Sequence, residues 1–428
     1  MKVGIYTLGC KVNTYESEYV ISELQKNNYE ICNFDDICDI YIINTCTVTN
    51  TSDIKSKKII RQARKRNKDA IIIAMGCYVQ ANLKLKMDDV DILIGNKDKS
   101  KIIDIIEEYK IKKSPIDHTT EEFDNNFEDM YIDHLNSRTR AFVKIQDGCE
   151  NFCSYCIIPF VRGKCRSKNF DTVINEVNTL VKNGYQEVVL TGIHTGNYGT
   201  DINRTFAELL QELIKIKGLK RLRISSIEIT ELTDEVLDII KSSNIIVNHM
   251  HIPLQAGSNK VLKLMNRKYD MKYFMDKIDY IRKIKPDISI TTDIIVGHPG
   301  ETDEDFYNSL ELIRKINFSK IHVFPYSKRD GTKAANMEQV DPQKKKERVR
   351  ELLKLSKELE TKYMNKFIDK DLEVLIERSK DGYSLGHTTN YLSVKIPGEH
   401  QSGEFVKVKI NSIEYPFCIG EKSVWKKN

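Results

Sequence analysis

Short apolar runs alternate with segments of helical period along most of this chain, and the runs lack the in–out alternation of a half-exposed strand. Residues 2–8, 39–44, 70–75 and 90–94 are near-continuous apolar runs of this kind. A strand buried on both faces reads this way, and helices packed on both faces of a parallel sheet are what bury it. Helical patterns over 14–26, 53–66 and 99–109 supply the helices. The spacing predicts a parallel-sheet α/β domain over 1–112.

The rhythm breaks over 113–136. The run DHTTEEFDNNFEDMYIDH carries seven acidic residues and no Lys or Arg, so an acidic linker on the surface is expected, with Phe123, Phe127 and Tyr131 available to pack against a neighbouring domain. Strand and helix then alternate again. Strand candidates at 141–146, 187–190, 221–225, 250–253, 288–295 and 319–324 are separated by helical patterns at 171–182, 205–217, 231–241, 271–284 and 303–316. Six such units predict a (β/α)6 partial barrel, with chemistry at the carboxyl ends of its strands. A charged helix at 341–364 closes this second domain, 137–365. Over 366–428 the period changes to short strands at 372–377, 383–385, 391–395, 405–410 and 416–419, divided by Gly, Asn and Pro. They predict a small OB-like β-barrel.

No apolar stretch reaches the roughly 18 residues of a membrane span, and the opening MKVGIYTLGCKVN does not read as a signal peptide, so a cytoplasmic location is expected. The net charge of +5 does not by itself imply a polyanionic partner. Its distribution is more informative. Lys55, Lys57, Lys58, Arg61, Arg64, Lys65, Arg66 and Lys68 crowd one predicted helix, which is either a solvated face or a surface for nucleic acid. The terminal barrel adds Arg378, Lys380, Lys407 and Lys409, and a purely structural cap is its alternative reading. Ten cysteines are many for a chain of this compartment, where disulfides rarely persist; metal binding or catalysis is the better reading.

Residues 148–163 read GCENFCSYCIIPFVRG, spacing Cys149, Cys153 and Cys156 as C-x3-C-x2-C directly after the first barrel strand. Three thiolates cannot complete a tetrahedral zinc site. They can hold a 4Fe-4S cluster with one iron open to chelation by an amino and a carboxylate group, the chemistry needed to bind S-adenosylmethionine and cleave it reductively. Tyr155 either stacks on the adenine or packs under the loop.

Cys10, Cys46 and Cys77 lie far apart in sequence, yet each falls two residues past a predicted strand. Parallel strands point their carboxyl ends the same way at about 5 Å spacing, so the three thiols are expected on one sheet edge. There they could hold a second cluster. Gly9 and Gly76 precede two of them and suit tight turns. Cys32 and Cys38 read as structural, and Cys165 and Cys418 as non-ligands.

The C-x3-C-x-aromatic-C run after a first barrel strand resembles the radical SAM superfamily. Thr191, Gly192 and His194 after the second strand resemble its glycine motif, with His194 standing where an acidic residue often lies. Ser226 and Glu228 are candidates for the ribose or methionyl ends, and Asp293 to Val296 resemble the strand that lines the adenine. Arg267 either pairs with a carboxylate or sits in a surface loop; His249, His251 and His298 read as barrel-rim residues with packing or hydrogen-bond duties. Over its whole length the chain is similar to the methylthiotransferase family: an N-terminal three-cysteine domain, a radical SAM domain and a terminal barrel called TRAM. TLGCKVN at 7–13 and NTCTVT at 44–49 resemble the branch acting on N6-threonylcarbamoyladenosine at position 37 of tRNA. HIPLQAGS at 251–258 and FPYSKR at 324–329 are similar to family-wide barrel segments.

The resemblance implies two S-adenosylmethionine molecules per turnover. One methylates a sulfur at the cluster of Cys10, Cys46 and Cys77. The other is cleaved at the cluster of Cys149, Cys153 and Cys156, and its radical takes the hydrogen from adenine C2. It implies a flavodoxin or ferredoxin-type electron donor and a tRNA anticodon stem-loop as partner; a monomer is expected, and the sulfur donor is not identified. Arg138, Arg140, Arg162 and Arg166 flank the first cluster loop, either to hold phosphates or to pair with the acidic linker. The rivals are the same insertion on isopentenyladenosine tRNA or a ribosomal-protein aspartate, a non-methylating radical enzyme, and an iron–sulfur RNA-binding redox sensor.

Overall fold

The computed structural model describes residues 1–83, 87–123, 125–134 and 139–423. The first body is a fully parallel sheet. Its elements are β1 (Lys2–Thr7), α1 (Lys11–Lys26), β2 (Glu30–Cys32), β3 (Ile40–Thr45), α2 (Asn50–Arg66), β4 (Ile71–Gly76), α3 (Cys77–Gln80), β5 (Ile92–Ile94), α4 (Ile102–Lys112) and β6 (Ile116–His118). The strand order is β2-β1-β3-β4-β5-β6. All of Ile40–Thr45 is buried, as its unbroken apolar reading requires. Separate apolar clusters cover the two faces of the sheet: Val3, Ile40, Ile42 and Ile73 pack with α1 and α4, while Tyr41, Ile43, Ile72 and Ala74 pack with α2.

The short edge strands β2 and β6 are not foreseen by the sequence pattern, because three residues carry no period. β6 lies inside the segment expected to be a surface linker. That expectation is corrected in part: Met130 and Ile132 are buried in the largest apolar core and the Glu128 carboxylate accepts from Ser100 N at 2.7 Å, while Phe123, Phe127 and Tyr131 do meet the second body, Tyr131 donating to Thr179 Oγ1 at 2.7 Å. The acidic segment straps the first body to the second. Cys32 and Cys38 are disulfide-paired where β2 meets the following loop, so they are not free thiols.

The second body contains β7 (Arg140–Lys144), β8 (Gln146–Asp147), α5 (Ile158–Arg162), β9 (Arg166–Ser167), α6 (Phe170–Lys182), β10 (Glu187–Thr191), α7 (Phe206–Leu213), β11 (Arg221–Ile224), α8 (Asp234–Ser242), β12 (His249–His251), α9 (Asn259–Leu264), α10 (Met271–Ile284), β13 (Ser289–Val296), α11 (Asp303–Ile316), β14 (Lys320–Pro325) and α12 (Pro342–Asn365). Parallel sheets β11-β10-β7 and β12-β13-β14 are joined by bridges Leu222↔Ile246 and Ser226↔His251. Among the described residues no pairing joins β7 to β14, so the barrel is partial. Helix starts follow local chemistry: Thr205 and Thr302 form capping boxes with Glu208 and Asp305.

The third body is a closed five-stranded barrel, β15 (Asp371–Lys380), β16 (Tyr383–Thr388), β17 (Ser393–Pro397), β18 (Phe405–Glu414) and β19 (Phe417–Lys422), in the order β15-β16-β17-β19-β18. Its core alternates along each strand, as in Val406, Val408 and Ile410. Arg221 ties it to the second body, donating to the carbonyls of Glu373 at 2.8 Å and His387 at 3.1 Å.

Candidate active site

The strand order explains how three cysteines distant in sequence meet. β1, β3 and β4 are neighbours, and Cys46 and Cys77 directly follow β3 and β4, while Cys10 follows β1 by two residues and precedes α1. Gly9 has φ +97°, and a Cβ there would stand 3.0 Å from the Cys46 sulfur. Gly76 has φ +99°, with Asn44 Oδ1 2.7 Å from where its Cβ would be. Both turns therefore require glycine. Asn13 clamps the site: its Nδ2 donates to Leu8 O and Thr45 O at 2.8 and 2.9 Å, and its Oδ1 accepts from the Cys10 thiol at 3.7 Å. Cys77 receives Asn96 Nδ2 at 3.3 Å. The same Nδ2 also donates to Val161 O in the second body at 2.8 Å.

The second triad sits in the loop after β7. The single strand expected over 141–146 breaks at Ile145: Gln146–Asp147 turns to pair with β9. Gly148 has φ +76°, and a Cβ there would lie 1.8 Å from Lys164 O. The loop is pinned by Cys149 N to Gly163 O at 3.0 Å, Cys156 N to Cys153 O at 3.0 Å and Ser154 N to Met265 O at 3.0 Å. Burial, then neighbouring thiols, pushes both Cys149 and Cys156 up to about 12. Burial also raises Cys10 and Cys46, with Cys77 adding to both. Such crowded thiols become thiolates when a metal replaces the proton.

The donor sets fit clusters better than single ions. Among the described residues, the group of His, Cys, Asp or Glu whose ligand atoms close to within 4.8 Å is His251, Asp293 and His322. Neither cysteine triad closes that far, and a four-iron cube holds its thiolate corners farther apart than one ion does. The triads are close neighbours all the same, because Cys77 packs directly against Ile157 and Val161, just beyond Cys156.

A cavity of about 180 Å³ adjoins Cys156, lined by Tyr155, Gln255, Asp293, Tyr326 and, from the first body, Val48 and Thr49. Thr191 ends β10, and its carbonyl accepts from Ile145 N at 2.9 Å. Gly192 lies against Gln146, whose Oε1 receives His194 N at 2.7 Å. His194 is paired with Glu231. Burial opposes its charge, but hydrogen bonds to Cys165 and Glu231 outweigh it and push the ring up to about 10. Arg267, read from sequence as either paired or loose, is buried and paired with Glu228; its Nη1 also donates to Cys153 Sγ at 3.4 Å. Ser226 is exposed beside His251. Val296 has its side chain buried in the apolar core, so its backbone is what it offers a ligand. His298 is buried, its Nε2 at 3.0 Å from Ser154 Oγ, and burial lowers it to about 4.

Among the described residues, the flanking arginines are taken up by contacts within the protein. Arg162 is fully buried between the bodies, bonded to Asp147, Glu16 and Asn13. Arg166 donates to Arg162 O at 2.8 Å and lies over Phe123. Arg140 pairs with Glu377 at 3.0 Å. Arg138 lies outside the described residues. On α2, Arg64 and Arg66 are taken by Asp91 and Asp35, whereas Lys55, Lys57, Lys58, Arg61 and Lys65, and Lys68 just past the helix, are exposed. Sequence reasoning missed Glu16, Arg329 and the aromatic pair Phe152–Phe160. Arg329 docks the barrel on α2 through Asp53 and Asn50, both at 2.8 Å. The two phenylalanine rings, 53% and 51% exposed, meet edge to face at 5.9 Å beside the cysteine loop. Their spacing from the cysteines was the available signal.

Residues 143–313 match the Radical SAM superfamily, and residues 2–95 match the Uncharacterized protein family UPF0004. The fold resembles that of TsrM from Kitasatospora setae, a radical S-adenosylmethionine methyltransferase, at TM-score 0.56 and 13% identity, covering 78% of this chain and 77% of that one. The fold and the loop of Cys149, Cys153 and Cys156 thus define a radical SAM protein, a class whose members use S-adenosylmethionine and a 4Fe-4S cluster. The chain is 44% identical over 98% of its length, and 96% of the relative's, to "Threonylcarbamoyladenosine tRNA methylthiotransferase MtaB" of Bacillus subtilis (strain 168). It is 38% identical over 96% of its length, and all of the relative's, to the protein of that name from Aquifex aeolicus (strain VF5). To "tRNA-2-methylthio-N(6)-dimethylallyladenosine synthase" of Clostridium botulinum (strain Langeland / NCTC 10281 / Type F) it is 36% identical, covering 95% of this chain and 93% of that one. The chain belongs to the radical SAM methylthiotransferase family.

Proposed function

We propose that this protein is a cytoplasmic tRNA methylthiotransferase that converts N6-threonylcarbamoyladenosine at position 37 to its 2-methylthio derivative. The observation that carries the reading is that Cys77, of the first triad, packs in one buried cluster with Ile157 and Val161, which directly follow the second triad. Bound at Cys149, Cys153 and Cys156, a 4Fe-4S cluster with S-adenosylmethionine would supply the hydrogen-abstracting radical chemistry, and a second cluster at Cys10, Cys46 and Cys77 would supply the sulfur site. An unactivated C–H bond gives acid–base catalysis no foothold, which is why two such sites are needed.

The chain's own residues do the positioning. Tyr155 and Asp293 wall the cavity beside Cys156, where the adenosine end of S-adenosylmethionine fits. Arg267, held by Glu228, fixes Cys153 through its hydrogen bond to the sulfur. The docking of α5 and α3 closes the junction to bulk water, because Ile157, Val161 and Cys77 are all buried there. The exposed cations of α2 and the Phe152–Phe160 pair are the surface for the anticodon stem-loop. A base already in a loop costs less to extract than one in a duplex. A flavodoxin or ferredoxin-type protein would deliver the electrons.

The threonylcarbamoyl reading is favoured over isopentenyladenosine by the TLGCKVN opening, and 44% identity to the Bacillus relative supports the same choice. The test is an anaerobic assay of reconstituted protein with S-adenosylmethionine, reductant and threonylcarbamoyladenosine-bearing tRNA, its nucleosides read by mass spectrometry. A 2-methylthio product is expected. Conversion of isopentenyladenosine tRNA with none of the threonylcarbamoyl substrate would overturn the reading.

A further inference from the structure

Inside the partial barrel lies a cavity of about 390 Å³, with Lys11, His249, His251, Thr291, His322 and Tyr391 among its walls. Strand register explains its lining. His251 stands opposite Thr291, and Asp293 opposite His322, so residues two apart on adjacent parallel strands present one inner face. The terminal barrel closes one end. Tyr391 stacks 4.9 Å from His249, with the Arg223 guanidinium 4.7 Å from its ring on the barrel side. At the other end His251 Nε2 pairs with Asp293 at 3.2 Å, and Asp293 also walls the smaller cavity beside Cys156. The two cavities therefore share a partition. Lys11 follows Cys10 directly, so this chamber adjoins the first cysteine triad.

Its donors are not fully matched by acceptors. Arg140 is paired with Glu377 and Lys320 with Glu360. Arg223, 1% exposed, spends its Nε on Glu187 at 2.9 Å, while its Nη1 and Nη2 have no partner. His249 is 7% exposed, and its Nδ1 is equally without one. Among the described residues Lys11 makes no hydrogen bond or ion pair, and solvent reaches it. Buried polar atoms without partners are costly, and here His249 stands unpartnered in the wall of a chamber of ligand size, which the unpaired Lys11 also lines, while Arg223 lies against the ring of Tyr391. An apolar substituent would desolvate them further. A carboxylate with neighbouring hydroxyl and carbonyl oxygens would satisfy them.

Resting on the function proposed above, we infer that this chamber seats the threonylcarbamoyl substituent of the substrate adenosine, and that Lys11 receives its carboxylate while His249 meets its remaining polar atoms. Lys11 is then a specificity residue: it selects the acidic substituent and holds the adenine on the Cys10 side of the site.

The test uses full-length reconstituted protein and anticodon stem-loop RNAs carrying the threonylcarbamoyl acid, its methyl ester or unmodified adenosine, with Kd read by fluorescence anisotropy. The native protein should prefer acid over ester by about 10- to 100-fold, the range of a charge-assisted hydrogen bond. Lys11→Met should erase that preference, and Lys11→Arg should keep most of it. Iron content and circular dichroism establish that each variant is folded and loaded. Equal binding of acid and ester by the native protein overturns the inference. So does a Lys11→Met variant that retains the preference, or one that weakens all three RNAs alike, which marks a phosphate contact. A native protein that makes the methylthio product yet ignores the acid charge refutes only this subsite. One that modifies isopentenyladenosine RNA alone refutes the function and the subsite together.

Discussion

Arg162→Met should loosen the first body from the barrel. The Arg162 side chain is wholly buried, its Nη1 3.0 Å from Glu16 Oε1 and from both Asp147 oxygens, its Nη2 2.8 Å from Asn13 Oδ1. Removing one partner from a buried ion pair typically costs about 3–5 kcal/mol, because the other charge is left uncompensated. Here the carboxylates keep other partners: Lys99 lies 2.5 Å from Glu16, and Lys144 lies 2.9 Å from Glu16 and 2.6 Å from Asp147. Three cations against two carboxylates leave the native cluster positive by one, so the variant's cluster is neutral rather than negative. The cost therefore belongs at the lower end, about 3 kcal/mol, which is roughly 6–12 °C in Tm for a cooperative unit of 150–250 residues.

The assay is scanning calorimetry of the full chain beside limited proteolysis. A chain of several bodies need not unfold in one step, so the diagnostic is a transition that splits or broadens on its low-temperature side, with cleavage gained around 113–139. Arg162→Lys, which keeps charge but cannot reach three acceptors together, should fall between. A Tm within 1–2 °C of the native value, or so little as about 0.5 kcal/mol of change, would refute the reasoning, since that is the range of an exposed surface substitution.

Acid should attack the same junction. Burial opposes ionisation of Glu16 and Asp147, but Arg162, Lys144 and, for Glu16, Lys99 overcome it and hold both well below the carboxylate range. Depressed carboxylates contribute stability that is present above their unfolded values and lost as pH falls, so calorimetry between pH 6 and 3 should show the native Tm dropping, with a shallower slope in Arg162→Met; identical slopes would count against the linkage. Gly148→Ala places a methyl 1.8 Å from Lys164 O at a left-handed φ, and should lose the iron of the Cys149 loop; full iron content would contradict that geometry. Cys153→Ala should abolish 5′-deoxyadenosine formation, whereas Cys46→Ala should keep it in part and stop methylthio transfer, both read by chromatography. Phe160→Ala, at a half-exposed ring, should leave Tm unchanged yet weaken stem-loop binding by about 1–3 kcal/mol if a base stacks there; an unaltered Kd would remove the aromatic pair from the RNA surface.

Much of the scaffold was legible because it obeys a short period. The strands that carry Cys10, Cys46 and Cys77 announce themselves as unbroken apolar runs, and a parallel sheet admits one direction for their ends. What period could not reveal was partnership across the chain. Glu16 looks like a solvent residue of an amphipathic helix; only docking against residues 128 and 146 positions away buries it. Arg162 and Arg166 read either as phosphate ligands or as partners of the acidic segment for the same reason, since charge in a loop is silent about which face of a neighbour will cover it. The segment 113–136 was taken for a linker from its acids, yet Met130 and Ile132, spaced two apart, are what insert into the core.

The junction itself is best understood as part of the site. Neither triad is complete in isolation: Cys77 is covered by Ile157 and Val161, and the cavity beside Cys156 takes two of its walls, Val48 and Thr49, from the first body. The same contacts that order the interface thus shape the space where substrate and S-adenosylmethionine would meet. Asn96 makes this concrete, since one amide nitrogen bonds both the Cys77 sulfur and the Val161 carbonyl. Arg329 repeats it on the other side, holding Thr47, one residue past Cys46, from the end of the barrel. A displacement between the two bodies would separate the triads and open both cavities in one movement. The dense ion-pair cluster at Arg162 opposes that movement, and the same guanidinium favours the Cys10 thiolate against the burial that raises that thiol.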